Sequence, residues 1–334
     1  MNAVDELIRE FATLTDEDEA GDRVAADVAR RRLGRAVAEE RRPRPGRWRF
    51  AVPATAVAAL AAAIIAAVAL LPGRDETASA AVVLERAARV ASGRPAAPYP
   101  GPHQYLYLRF REGWADVENS IAFQTTDTQQ TWVAPNGAGR QRLTVDGAPR
   151  FLTPRDRAAW LAAGRPALVP PSTDGTYPAG GYPAGNQLDP TGLPTNPQAL
   201  KTAIVKRFEG GHANPEATFD TAGTLLEDAT SPTLRAALYR VVAGLSGVRL
   251  LGRQKDALGR TATVVGLMGA GGVREELMFD PATSSVLEAA EVQAALGATP
   301  VPVGTVLHYF AYLDRGVVNS IEDLPAGGQV PFHG

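Results

Sequence analysis

Residues 248–293 read VRLLGRQKDALGRTATVVGLMGAGGVREELMFDPATSSVLEAAEVQ, and this stretch decides the fold. It contains four runs rich in apolar and β-branched residues, Val248–Gln254, Thr261–Met268, Val273–Asp280 and Ser285–Gln293. Between them lie Asp256-Ala257-Leu258-Gly259, Gly269-Ala270-Gly271-Gly272 and Asp280-Pro281-Ala282-Thr283. Gly supplies positive φ, and Asp and Pro favour tight reversals, so these connections are turns. Short runs joined by tight turns pair antiparallel. A further run, Thr305–Asp314, extends the same meander.

Helices precede the meander. Ser231 is an N-cap with Pro232 at the first helical position, and Leu234, Leu238, Val241, Val242 and Leu245 follow at helical spacing. Asn196 caps a second helix through Phe208, and a third covers Thr221–Asp228. Strands return further upstream. His103–Arg111 alternates, with Tyr105, Tyr107 and Arg109 on one face and Leu106, Leu108 and Phe110 on the other. Ser120–Thr126, Gln130–Ala134 and Arg140–Asp146 read as three more, the last two joined by Pro135-Asn136-Gly137. Gly164–Pro197 holds eight prolines and six glycines and reads as a long irregular surface loop; the functional alternative is a lid gripping a ligand through Tyr177 and Tyr182. Strands, a helical excursion and strands again make an α+β domain over 103–334. Its expected form is a curved antiparallel, half-barrel-like sheet packed with helices.

Upstream of that domain, residues 74–102 read as a juxtamembrane helix at Ala80–Ser92 and a linker stiffened by Pro95, Pro98, Pro100 and Pro102. Before it, residues 50–73, FAVPATAVAALAAAIIAAVALLPG, carry no charge. A helix of about 21 of these residues spans roughly 32 Å, which matches the hydrocarbon core of a bilayer. Arg41, Arg42, Arg44, Arg47 and Arg49 crowd its N-terminal side, whereas Arg74 is followed by Asp75 and Glu76. The positive-inside rule then places 1–49 in the cytoplasm and the rest of the chain outside a cell membrane crossed once. Ala78-Ser79-Ala80 resembles a signal-peptidase site, but the apolar run exceeds a signal h-region and almost fifty residues precede it. A retained anchor is the expectation. Ala58–Ala63 and Ala66–Ala69 offer a small-residue surface on which two such helices can pack.

The segment 1–49 divides into two helical patterns. Val4, Leu7, Ile8, Phe11 and Leu14 form one apolar stripe, and Val24, Val28, Leu33 and Val37 a looser one. Neither can bury a core alone. Leu7, Ile8 and Phe11 are the candidate partner-docking residues; the competing reading is a solvated tail whose arginines hold topology.

Composition narrows the function. The 334 residues carry 34 Lys plus Arg against 36 Asp plus Glu, a net charge of −2, which gives no basic surplus for direct nucleic-acid binding. The absence of Cys excludes disulfides, zinc–thiolate sites, Fe–S clusters and thiol nucleophiles. His103, His212, His308 and His333 show no metal-ligand spacing, and no G-x-S-x-G elbow is present. Gly269–Gly272 lies between strands and so lacks the helix N-terminus that cradles phosphate. Glu275 and Glu276 point to opposite faces of a strand. The reading is therefore no enzyme, no catalytic residues, no metal and no cofactor. A cleft on the concave side of the sheet is expected instead, with Tyr105, Tyr107, Phe279 and Tyr309 as candidate lining residues, core roles being the alternative for each.

The segments LERAARVAS (Leu84–Ser92), HQYLYLRFRE (His103–Glu112), Ser231–Leu267 and REELMFDPATSSVL (Arg274–Leu287) together resemble an actinobacterial family of single-pass membrane proteins with a short cytoplasmic N-terminus. FDPATSSVL (Phe279–Leu287) also looks like the repeated hairpin of extracytoplasmic half-barrel domains of the LolA and RseB type, which hold lipid or sense lipoproteins. The layout of cytoplasmic helices, one membrane helix and an exported domain is similar to membrane-bound anti-sigma factors. The sequence departs from these in lacking H-x-x-x-C-x-x-C, since it has no Cys. These resemblances imply a bitopic cell-envelope protein that binds or senses an envelope ligand such as a lipid or lipoprotein, while its cytoplasmic helices hold a regulator such as a sigma factor. The alternative is a membrane-tethered lipid or lipoprotein carrier without a signalling role.

Overall fold

A computed structural model of the chain describes residues 75–169, 171–181, 190–211, 213–228, 231–296 and 301–325. Among the described residues there are five α-helices: α1 (Asp75–Ser92), α2 (Pro154–Ala162), α3 (Pro197–Phe208), α4 (Pro215–Asp228) and α5 (Pro232–Ala243). The ten strands are β1 (Tyr105–Glu118), β2 (Ile121–Val133), β3 (Gly139–Val145), β4 (Arg150–Phe151), β5 (Thr173–Tyr177), β6 (Arg249–Lys255), β7 (Thr261–Met268), β8 (Val273–Phe279), β9 (Val286–Gln293) and β10 (Val306–Val318). They form one antiparallel sheet in the order β5-β3-β2-β1-β10-β9-β8-β7-β6, with β4 paired to β2. The sheet does not close on itself, and β5 and β6 are its edges. The β1–β10 pairing joins the N-terminal hairpins to the C-terminal meander.

The meander follows the reading of its sequence closely. Each of its turns holds a residue at positive φ, among them Gly259, Gly271 and Ser284. Helices cover one face of the sheet. Val265, Leu277, Phe279, Val286 and Tyr312 from the strands pack with Phe219, Leu225, Leu238, Tyr239 and Val242 from α4 and α5. Tyr239 meets the edge of Phe279 at 5.5 Å and donates its hydroxyl to the Ser284 carbonyl at 2.7 Å. That bond gives a buried polar tip a partner and pins the strained turn to α5.

Four differences from the sequence reading have physical causes. Helix α1, set apart as a juxtamembrane element of 74–102, is part of the core: Ala80, Leu84, Ala87, Ala88 and Ala91 are all buried. Its small side chains let it lie close on α5, and its Glu85 pairs with Arg240 at 3.1 Å. The two strands read at 120–126 and 130–134 are one strand, β2, because β1 runs to Glu118 and pairs along its whole length. The Gly164–Pro197 loop contains β5, which adds to β3 from Thr173 to Tyr177. Helix α2 was not anticipated. Its apolar content is slight, and a capping box fixes it: Asp156 N–H donates to Thr153 Oγ1 at 3.2 Å while Thr153 N–H donates to Asp156 Oδ2 at 2.9 Å.

Asp156 also accepts from the Ala122 N–H on β2 at 3.1 Å, tying the helix to the sheet. Burial works to raise its pKa, but the bonds from Thr153 and Ala122 outweigh this and hold it below the usual carboxylate value. Asp156→Ala is expected to cost about 2–3 kcal/mol, because it leaves buried N–H groups unpaired. The midpoint of urea unfolding reads this; an unchanged midpoint would show that α2 is not held through Asp156.

No described helix is long and apolar enough to cross a membrane; the apolar stretch 50–73 and the helical patterns of 1–49 lie outside the described residues.

Candidate functional site

The helix-covered face changes character from one half of the sheet to the other. Beyond Leu108, Phe110 and Phe310, which border the helices, the same face of β1, β2 and β10 becomes polar. Along β2 its row is Phe123, Thr125, Asp127, Gln129, Thr131 and Val133, every member buried. Register sets Asp127 opposite Glu112, and sets Trp114 opposite both Thr125 and His308.

Five strands contribute to one hydrogen-bonded chain on this face. His308 Nε2 of β10 lies 2.6 Å from Glu112 Oε1 of β1. The Gln129 amide of β2 donates to Glu112 Oε2 at 2.5 Å. Gln141 of β3 donates to the Gln129 carbonyl at 2.9 Å, and the Tyr177 hydroxyl of β5 donates to Gln141 at 3.2 Å. Burial of a carboxylate is tolerated when it is paired and hydrogen-bonded, and Glu112 is both.

Asp127 is different. It is 1% exposed, and neither carboxyl oxygen has a protein hydrogen-bond partner of ordinary geometry. The hydroxyls of Thr125 and Thr131, its neighbours along the row, are equally unpartnered. Burial pushes the Asp127 pKa up to about 8; the Glu112 carboxylate adds to the rise, and Gln129 works against it. At neutral pH the group is therefore a carboxylic acid beside the hydrogen-bonded Glu112 and His308 side chains. Such a cluster can hold a proton and exchange hydrogen bonds. Among the described residues no group of three or more His, Asp or Glu is placed to hold a metal ion.

A separate cavity of about 280 Å³ opens at the end of the sheet where β1 begins and β10 ends. His103, Tyr105, Asn136, Asn319, Ser320 and Ile321 line it. It falls just below the usual range of small-molecule pockets.

The four aromatic residues picked from the sequence do not converge. Tyr105 lines this cavity. Tyr107 lies on the helix-free face against Trp132, ring centroids 5.1 Å apart, and receives a bond from Gln130. Tyr309 crosses the same face over Gly113, where a Cβ would come within 2.2 Å of its ring. Phe279 is in the main core. The docking residues Leu7, Ile8 and Phe11, with Tyr182 of the proposed lid, lie outside the described residues. Tyr177 is placed in β5, bonded to Gln141. Sequence reasoning missed Asp127 and Gln129 because it broke the strand between Thr126 and Gln130, and missed Glu112 because it ended the preceding strand at Arg111. The available signal was parity: Phe123 and Val133 fall on the same side as Asp127.

Fold and site together define an open antiparallel sheet whose one face carries both a helical core and a buried polar row. No family model matches the sequence, and no curated protein matches it. Solved structures that resemble it include MucB of Pseudomonas aeruginosa in complex with MucA, with TM-score 0.26 and 17% identity over 75% of this chain and 59% of that one. Two others are MucB with MucA(peri), TM-score 0.24 and 15% identity over 72% and 56%, and MucB alone, TM-score 0.25 and 17% identity over 75% and 61%. The chain spans about three fifths of the length of these structures.

Proposed function

We propose that this chain is a single-pass cell-envelope regulator. Residues 50–73 cross the membrane, the domain that begins at α1 stands outside and senses an envelope ligand, and residues 1–49 hold a cytoplasmic regulator of the sigma-factor class. One observation carries this reading. Only Arg74 separates the uncharged stretch from α1, and α1 is a core helix rather than a tether. A change in how the helices sit on the sheet therefore has few residues to cross before it reaches the uncharged stretch. The domain is read as a binding module.

The test uses the full-length chain solubilised from its native membranes, beside a Leu7/Ile8/Phe11→Ala variant. A transcription regulator recovered with the first and lost with the second is the expected result. Recovery unaffected by the replacements, or recovery by neither chain, would overturn the regulatory reading.

A further inference from the structure

Seven large apolar side chains are exposed among the described residues, and three of them, Met268, Leu296 and Val303, fall in two adjoining connections at one end of the sheet. Met268 begins the β7–β8 tip; Leu296 and Val303 belong to the β9–β10 connection. The two are joined by bonds from the Ala294 and Ala295 N–H groups to the Gly272 carbonyl, at 2.8 and 3.0 Å. Neither segment carries a charge of its own, 268–273 reading MGAGGV and 293–305 reading QAALGATPVPVGT, and the one carboxylate bonded to them among the described residues, Glu216 of α4, accepts from the Ala270 N–H at 3.0 Å. Leu296 is 92% exposed. Exposed tips usually carry charged or polar residues, and a clustered apolar end marks an interaction surface.

The helices fix which end this is. Arg235 in the first turn of α5 and Tyr239 one turn on donate to Ser284 in the β8–β9 turn, whereas Gly247, just after α5, sits against Leu267 beside the β7–β8 tip. Helix α1 runs antiparallel to α5, since Glu85 pairs with Arg240 while Arg94 acts on Arg235. The N-terminus of α1 therefore lies at the same end as Met268, Leu296 and Val303. One residue before it, the uncharged stretch ends.

We propose that this end of the domain rests on the lipid bilayer, with Met268, Leu296 and Val303 entering the boundary between headgroups and acyl chains. This rests on the reading of 50–73 as a membrane span. With a core helix starting one residue beyond the bilayer, the tips are held at the surface at high effective concentration, so modest apolar burial suffices to keep them there.

The chain has no Cys, so single replacements can each be labelled alone. The full-length protein would be reconstituted in phosphatidylglycerol–phosphatidylethanolamine vesicles with an environment-sensitive fluorophore at Met268→Cys, Leu296→Cys or Leu324→Cys. Ala62→Cys serves as a marker inside the span. Leu324 is exposed but follows the far end of β10, whose 13 residues extend roughly 40 Å from the tips. Spin-labelled lipid is expected to quench most of the fluorescence at 268, 296 and 62, with a blue shift, and to leave 324 unchanged. Quenching at 62 without quenching at 268 or 296 would overturn the inference and leave the membrane reading standing. Equal quenching at 324 would overturn it as well. No quenching at 62 would remove the span, and the inference with it.

Discussion

A chain shortened to begin at residue 103 is expected not to fold, although it retains every described strand and four of the five described helices. Helix α1 supplies Leu84 and four alanines to the core, each no more than 1% exposed, and it packs on both α5 and the edge strand β6. Its loss would open α5 to water and leave β6 uncovered, an arrangement that favours edge-to-edge association. Leu84→Ala alone should cost about 3–5 kcal/mol, in the range for fully buried leucines. Removing the whole helix should exceed the roughly 5–15 kcal/mol by which domains are stable. The comparison is between residues 75–334 and 103–334 by circular dichroism during heating. A cooperative transition of equal midpoint in the shorter chain would show that α1 is dispensable.

Asp127→Asn should make the protein much more stable above pH 8 while changing little near pH 4. The folded state holds the Asp127 proton up to about pH 8, whereas the unfolded chain releases it near its ordinary value of 3.8. The unfolded state thus binds fewer protons across that window, and stability falls as pH rises through it. At about 1.4 kcal/mol per pH unit the loss approaches about 6 kcal/mol over the whole window, an upper bound because a buried site relaxes around a new charge. Asparagine has the shape of the protonated acid and cannot ionise. Glu288, which burial pushes up to about 7, contributes a shallower fall of the same sign and remains in the variant. Urea midpoints at pH 5 and pH 8.5 measure the difference. Parallel decline in wild type and variant would mean that Asp127 is ionised in the folded protein.

The meander was legible because its turns carry Gly, Asp and Pro at the reversals, a local signal that no distant contact has to supply. Helices α3 and α5 were legible for the same reason: Asn196 and Ser231 cap them as their sequences require. Strand β5 was hidden because TDGTY has almost no apolar content, and it forms through ladder bonds to β3. The polar row was hidden for a related reason. Whether Thr125 or Thr126 faces inward depends on the register between β1 and β2, and that register is set by pairing over the full length of both strands. The role of α1 depends on what its alanines meet, which is α5, more than a hundred residues later in the chain.

The pairing of Tyr105 with Val318 also governs how this domain can be made. Strand β1 is the first to emerge during synthesis and β10 the last, so the seam between the two halves of the sheet closes only when the chain is nearly complete. Until then the β1–β2–β3 unit presents an open ladder with its polar row uncovered on one face. Contacts of such wide sequence separation make folding slow. Slow closure leaves unpaired strand exposed to neighbours. A domain of this topology is therefore open to edge-to-edge association for longer while it folds than the meander alone would be.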